Sequence, residues 1–245
     1  ENGHSPVFRL GLDGVAPQRL TAQGAYAAVV VAPDGATAYA TRSSYAYPSE
    51  VVRIDLTSSR ADAEQVTVLR GPSDRPVLPG RLEAVATTVT DPAGVTHTVR
   101  SYLALPEGAS AENPAPLLLW IHGGPIGSWN AWSWRWNPWI MVARGYAVLL
   151  PDPALSTGYG QAFIQRGWGA WGAAPYTDLM AATDAVENRA DIDETRTAAM
   201  GGSFGGYMAN WVAGHTDRFS AVVTHASLWA LDQFGPTTDA ASYWS

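Results

Sequence analysis

Thr197-Ala198-Ala199-Met200-Gly201-Gly202-Ser203-Phe204-Gly205-Gly206-Tyr207-Met208 is the stretch whose reading decides the fold of this chain. Its first four residues read as a short buried strand. Phe204–Ala213, closed by Gly214, reads as a helix. The pattern Gly201-x-Ser203-x-Gly205 falls between the two. A serine on a sharp strand-to-helix turn has its hydroxyl lifted above the sheet edge, the arrangement of a nucleophile elbow. Glycines two residues to either side let the backbone turn with no Cβ in the way. The start of the helix adds the positive end of a dipole near any negative charge that develops. Ser203 is therefore the candidate nucleophile, and Phe204 supplies the amide that follows it.

Upstream of this turn, buried strands alternate with helices. Leu117–His122 is a continuous apolar run, and Tyr146–Leu150 is another, stopped by Pro151. Pro138–Arg144, closed by Gly145, reads as a short helix. Thr177–Arg189 carries Leu179, Ala182 and Val186 on one helical face. Ser220–Thr224 is a further strand. Strand-helix alternation of this kind predicts a mostly parallel sheet with helices on both faces. Leu82–Thr90 and Thr96–Leu105, flanking Asp91-Pro92-Ala93-Gly94, read as an antiparallel hairpin ahead of it. The fold class expected is α/β, an α/β-hydrolase-like domain over residues 81–245.

His122-Gly123-Gly124-Pro125 ends the first buried strand. A loop of this kind gives one oxyanion-hole donor, and the residue after the nucleophile gives the other. Gly124 and Phe204 are the candidates. His122 is read as a histidine that braces the loop, because the general base of this fold follows the serine in sequence. His225 closes its strand on the same sheet edge as Ser203 and is a candidate supporting residue.

Trp129, Trp132, Trp134, Trp136 and Trp139 crowd into one stretch, with Trp168 and Trp171 farther on. Such a cluster could wall a substrate pocket or pack one part of the chain on another, and the sequence favours neither. Trp129, Trp132, Trp134, Arg135 and Tyr159 are the candidate pocket residues. Arg135 reads more readily as solvated than as holding a substrate carboxylate.

Residues 1–80 differ in rhythm. Val7–Leu12, Ala27–Ala32, Thr37–Thr41, Val51–Leu56 and Gln65–Leu69 are short alternating runs separated by turns such as Pro33-Asp34-Gly35. Regular short strands of this type suggest part of a β-propeller, against a small sandwich or an extension of the next domain as the alternatives. Gly71–Gly80 reads as a linker.

Composition narrows the function classes. The chain has 245 residues, 47% hydrophobic and 15% charged, so a sizeable core is available and disorder is excluded. It has no cysteine, which removes disulfides, thiolate zinc sites and a cysteine nucleophile. A net charge of −7 opposes a nucleic-acid partner. No apolar run reaches the length of a membrane span. No His-x-x-x-His or carboxylate spacing implies a metal, and no cofactor is expected. A cytoplasmic location is expected.

With those residues in view, the chain resembles the prolyl oligopeptidase family of serine peptidases, and its acylaminoacyl-peptidase and dipeptidyl-peptidase-like bacterial members above all. The resemblance rests on Leu119-Trp120-Ile121-His122-Gly123-Gly124-Pro125, on Ser156-Thr157-Gly158-Tyr159-Gly160-Gln161-Ala162-Phe163, and on Gly201-Gly202-Ser203-Phe204-Gly205-Gly206-Tyr207-Met208. It covers residues 82–245 well and residues 1–80 only in general character. It implies a propeller that gates an α/β-hydrolase domain, a short peptide substrate, and Ser203 as nucleophile with the Phe204 and Gly124 amides as oxyanion hole. One departure is local: the family often has Asn-x-Arg-Gly where this chain has Asp152-Pro153-Ala154-Leu155. A second concerns the triad, whose order is serine, acid, histidine. Only Asp217 and His225 follow Ser203 in that order, and both lie in or beside the strand next to the elbow. The chain is thus expected to be a fragment. The triad Asp and His would come from a further C-terminal segment or a second chain, and homo-oligomers could form through an open sheet edge. Three functional readings stand: a serine peptidase, an esterase or lipase of the same fold, and a truncated hydrolase without catalysis.

Overall fold

The computed structural model describes residues 1–58, 65–239 and 241. The chain divides into two compact units. One comprises Glu1–Leu78 with Asn130–Asn137, the other Pro79–Trp129 with Pro138–Ser245.

In the first unit, β1 (Phe8–Arg9) and β2 (Gln18–Arg19) form a two-stranded antiparallel pair. β3 (Ala25–Val31), β4 (Thr37–Ser44), β5 (Tyr47–Asp55) and β6 (Val66–Val68) follow as an antiparallel meander in chain order. Strand alternation explains its inside: Ala38 and Ala40 on β4 and Val52 and Ile54 on β5 share one buried cluster. The turn before β4 is fixed by Asp34, whose Oδ1 accepts the amides of Ala36 and Thr37 at 2.9 and 3.0 Å. The Val7–Leu12 run expected from its alternation shortens to β1, since most of its side chains stay exposed.

The second unit opens with the expected hairpin, β7 (Gly80–Thr90) paired along its length with β8 (Thr96–Pro106). It continues through β9 (Ala115–Ile121), α1 (Trp139–Val142), β10 (Ala147–Asp152), α2 (Gln161–Gln165), α3 (Ala174–Glu187), β11 (Ile192–Gly202), α4 (Phe204–His215), β12 (Ala221–His225) and α5 (Leu231–Thr237). The sheet order is β12-β11-β9-β10-β8-β7, with β9 through β12 parallel and β7 and β8 antiparallel. This is an α/β fold. Leu117, Leu119 and Ile121 of β9 and Leu149 of β10 are fully or nearly fully buried, as a central parallel strand requires. α2 and α5 escape sequence reading. α2 is too short to show a period, and α5 buries no side chain and contains Pro236.

The strand order locates the site. The crossover from β9 to β10 runs one way along the sheet, and those from β10 to β11 and β11 to β12 run the other way. Right-handed crossovers then put α1 on one face and α3 and α4 on the opposite one. The chain therefore departs in opposite directions from the carboxyl ends of neighbouring β9 and β11. A crevice opens at such a switch point, and ligands of open α/β sheets bind there.

Candidate active site

Ser203 occupies this switch point. It is exposed, while the six residues after it are buried. Its backbone has φ 58° and ψ −121°, a left-handed conformation that a residue with a Cβ adopts only under strain. The turn is anchored from both neighbours. The Ser203 amide donates to the His225 carbonyl at 3.0 Å, and the Tyr207 amide donates to the Ser203 carbonyl at 3.0 Å. His225 thus meets the elbow through its main chain, one register step beyond the Gly201–Thr224 pair. The two flanking glycines are there for space. A Cβ on Gly201 would sit 2.2 Å from the Gly205 carbonyl oxygen, and one on Gly205 would sit 2.1 Å from the Ile121 oxygen.

The register pairs Gly201 with Ile121, so the loop after β9 comes up beside the elbow. A Cβ built on Gly123 would lie 3.1 Å from the Gly202 oxygen and 3.4 Å from Ser203 Cβ. Gly124 has φ 132°, open to glycine and not to residues with side chains. His122 is buried and points away from solvent. Its Nδ1 lies 2.7 Å from the Gly123 carbonyl oxygen and its Nε2 2.9 Å from Ser156 Oγ. Burial holds the imidazole below its usual pKa.

Behind this loop stands Asp152, the last residue of β10, in the position where the sequence departs from the Asn-x-Arg-Gly pattern. It accepts the Trp129 amide on Oδ1 at 2.8 Å and the Tyr159 hydroxyl on Oδ2 at 2.5 Å. Its carboxylate approaches His122 Nε2 to 3.7 Å. Burial pushes its carboxyl pKa up to about 7. The unfolded value is about 3.9. Between those values the native state binds the extra proton. The contribution of Asp152 to stability is therefore complete below about pH 4 and is lost as pH rises through about 7. Asp152→Asn keeps an oxygen for the Trp129 amide and cannot ionise. It is expected to flatten the fall in stability across that window, read by urea midpoints at stepped pH.

The loop after β10 is tied down from the helix side. Asp178 of α3 is fully buried, pairs with both terminal nitrogens of Arg166 at 3.0 Å, and accepts the Ala154 amide at 2.8 Å. Thr157 donates its amide to the Gly127 carbonyl at 2.9 Å, joining this loop to the one after β9.

The candidate pocket residues divide between the two units. Trp132, Trp134 and Arg135 lie in Asn130–Asn137 and belong to the first unit. Trp132 and Trp134 meet edge-on at 5.2 Å, and Arg135 stacks over Trp136 at 5.0 Å. Trp129 is buried with its amide on Asp152, and Tyr159 turns its hydroxyl to the same carboxylate. Both are committed to the loop and line no part of the cavity described next. Beside the elbow lies a cavity of about 500 Å³, walled by Pro125, Ile126, Trp168, Trp171, Tyr207 and Trp211. Trp171 packs edge-on against Phe204 and Tyr207 at 5.1 and 5.4 Å. Trp168 and Trp171 were visible in the sequence, but their separation from the first tryptophan cluster hid their place here.

Asp217 lies before β12, at the amino end of the parallel strands, so the sheet separates it from Ser203. Among the described residues no group of three or more His, Asp or Glu could hold a metal ion.

The chain is 40% identical over 144 residues to a probable dipeptidyl-peptidase 5 of Emericella nidulans, covering 57% of this chain and 20% of that protein. It is 38% identical over 133 residues to dipeptidyl-peptidase 5 of Schizosaccharomyces pombe, covering 53% and 20%. It therefore spans about a fifth of the length of these curated relatives. Its fold matches the Pyrococcus horikoshii acylaminoacyl peptidase with a TM-score of 0.82 at 17% identity, over 100% of this chain and 37% of that one. It matches a puromycin-hydrolyzing peptidase of Mycobacterium tuberculosis with a TM-score of 0.70 at 23% identity, over 98% and 44%. Residues 132–244 match the model of the prolyl oligopeptidase family.

Proposed function

We propose that this chain carries the nucleophile and oxyanion hole of a serine peptidase that hydrolyses short peptides. The observation that carries the reading is Ser203 itself: exposed, strained at φ 58°, and set at the switch point with Gly123 against it. A protein keeps such strain where the geometry is needed.

In this reading Ser203 Oγ attacks the carbonyl carbon of the scissile amide as its proton passes to a general base. The Oγ–C bond forms, and the oxyanion is met by the Phe204 and Gly124 amides. The C–N bond then breaks, and the amine leaves with the proton from the base. Water, activated in the same way, hydrolyses the acyl ester and restores the serine. Asp217 is across the sheet from Ser203, so in this reading the triad acid and histidine come from a further segment or a second chain. The cavity beside Tyr207 accepts an apolar side chain of the peptide, since its walls are aromatic and its size lies in the roughly 300–1,000 Å³ range of ligand sites. The β3–β6 meander is read as one blade of a propeller, and propeller gating limits substrates to short chains. The names of the dipeptidyl-peptidase relatives favour a peptidase over an esterase.

The test is labelling of the native preparation with an alkyl fluorophosphonate, read by intact mass and peptide mapping. Labelling at Ser203, abolished in Ser203→Ala, is the expected result. The mass list names any second chain that supplies the base. Labelling elsewhere, or none with every chain present, removes the assignment.

A further inference from the structure

The buried face of the β3–β6 meander ends in charged side chains. Strand register sets Ala40 of β4 opposite Val52 of β5, and both are buried. Two residues farther along, it sets Tyr26 opposite Arg42 and Arg42 opposite Glu50. Strand alternation keeps this row on the same face. The Glu50 side chain is only 12% exposed and takes two guanidinium groups. Its Oε1 accepts from Arg42 Nε at 3.1 Å and from Arg75 Nη2 at 2.7 Å, and its Oε2 accepts from Arg75 Nε at 2.9 Å. One negative charge therefore serves two positive ones. The cluster keeps an excess positive charge in a chain whose net charge is −7.

That excess faces open space. A cavity of about 480 Å³ is walled by Gln23, Tyr26, Arg42, Tyr47, Val66 and Arg75, and among the described residues no carboxylate lines it. Arg75 is already fixed in place. Its guanidinium lies over the Tyr47 ring at 3.9 Å, and Glu50 holds two of its nitrogens. Its third nitrogen, Nη1, makes no hydrogen bond among the described residues. A long side chain held in this way has little freedom left to lose on binding a ligand.

We propose that this cavity binds a small molecule that carries one terminal carboxylate with an apolar group beside it, the chemistry of an N-acylated amino acid or of the carboxyl end of a short peptide. Arg75 and Arg42 meet the carboxylate, and the Tyr26 and Tyr47 rings with Val66 take the apolar group. The charge count selects the class. One carboxylate balances the excess, whereas a doubly charged phosphate would leave a negative charge over. A free amino acid would bring an ammonium group beside the arginines with no carboxylate in the walls to meet it. The volume lies within the roughly 300–1,000 Å³ range of ligand sites. All the walls belong to the first unit, so the site does not depend on the reading of Ser203.

The test uses the chain carrying Ser203→Ala, so that no peptide is consumed, labelled with ¹⁵N-arginine. N-acetyl-leucine, N-acetyl-leucinamide, the tripeptide alanyl-alanyl-leucine and inorganic phosphate are titrated separately at millimolar concentration, followed by calorimetry and by the arginine Nε resonances. N-acetyl-leucine and the tripeptide are expected to bind and to move the Arg75 Nε resonance. The tighter of the two names the natural source of the carboxylate. The amide should bind at least about tenfold more weakly, the loss of one charge-assisted hydrogen bond. Arg75→Met should weaken binding of the acid by a similar factor, and it leaves Glu50 paired with Arg42. Arg53→Met is the control, because Arg53 is exposed on the opposite face of β5, and it should change nothing. Thermal melts show that each variant is folded, and if Arg75→Met is not, the acid-against-amide comparison and the Arg75 resonance decide alone. No binding by either carboxylate overturns the proposal, as does binding that leaves the Arg75 resonance unmoved, which would put the ligand elsewhere. Equal affinity for acid and amide, or tighter binding of phosphate than of N-acetyl-leucine, overturns it as well.

Discussion

Gly205→Ala is expected to cost about 4 kcal/mol or more, enough to prevent the second unit from folding at moderate temperature. The reason is local and backbone-only. The added methyl would lie 2.1 Å from the Ile121 carbonyl oxygen and 2.8 Å from that of His122. Neither is a flexible side-chain tip that can swing away. Relief requires α4 to move off β9, and that separates Phe204, Met208 and Val212 from the core they share with Leu119 and Ile121. Gly214→Ala is the control. It lies on the same helix, with nothing within 4 Å of the added methyl. There the change should be neutral or stabilising by up to about 1 kcal/mol, through helix propensity. Thermal melts of the two variants check the pair, and similar midpoints for both would contradict the packing described.

Asp178→Ala carries the second large effect. Asp178 is fully buried and its partner Arg166 keeps only 11% of its side chain exposed. Removing the carboxylate leaves a shielded guanidinium without its counter-charge and the Ala154 amide without its acceptor. Breaking a buried pair from one side typically costs about 3–5 kcal/mol. Part of that loss should return in Asp178→Leu combined with Arg166→Met, where no charge is left stranded. A double-mutant cycle in urea measures this, and a double variant as unstable as Asp178→Ala alone would contradict the account. The loop held by Asp178 contains Ser156, so Asp178→Ala should also slow labelling of Ser203.

The buried strands of the second unit were legible because its apolar runs are long and its glycines sit where turns must be. Leu117–His122 and Tyr146–Leu150 could be little else than buried parallel strands, and the observed β9 and β10 agree with them to within a few residues. The elbow was legible for a different reason. Gly201 and Gly205 are required by contacts of 2.2 and 2.1 Å, and close backbone approach leaves the same residue type in the sequence each time. The cavity was not legible. Its walls come from the loop after β9, the segment before α3, α4 and the start of α5, which no linear spacing brings together. Five tryptophans crowded between Trp129 and Trp139 drew attention because they are adjacent in sequence, although adjacency says nothing about which surface each faces.

Asp152 and Asp178 mark the same boundary. A carboxylate in sequence is an exposed residue by default, and nothing around either position announces burial. Only the tertiary structure shows that one accepts the Trp129 amide and Tyr159 hydroxyl and that the other closes on Arg166. Sequence by itself determined the α/β class, the nucleophile and the two oxyanion amides as candidates, because those depend on period, turn chemistry and spacing along one chain. The tertiary structure decided which aromatic groups share a cavity, how His122 is held, and that Asp217 stands at the wrong end of the sheet. Those depend on crossover direction and strand register, which place residues distant in sequence at a single edge.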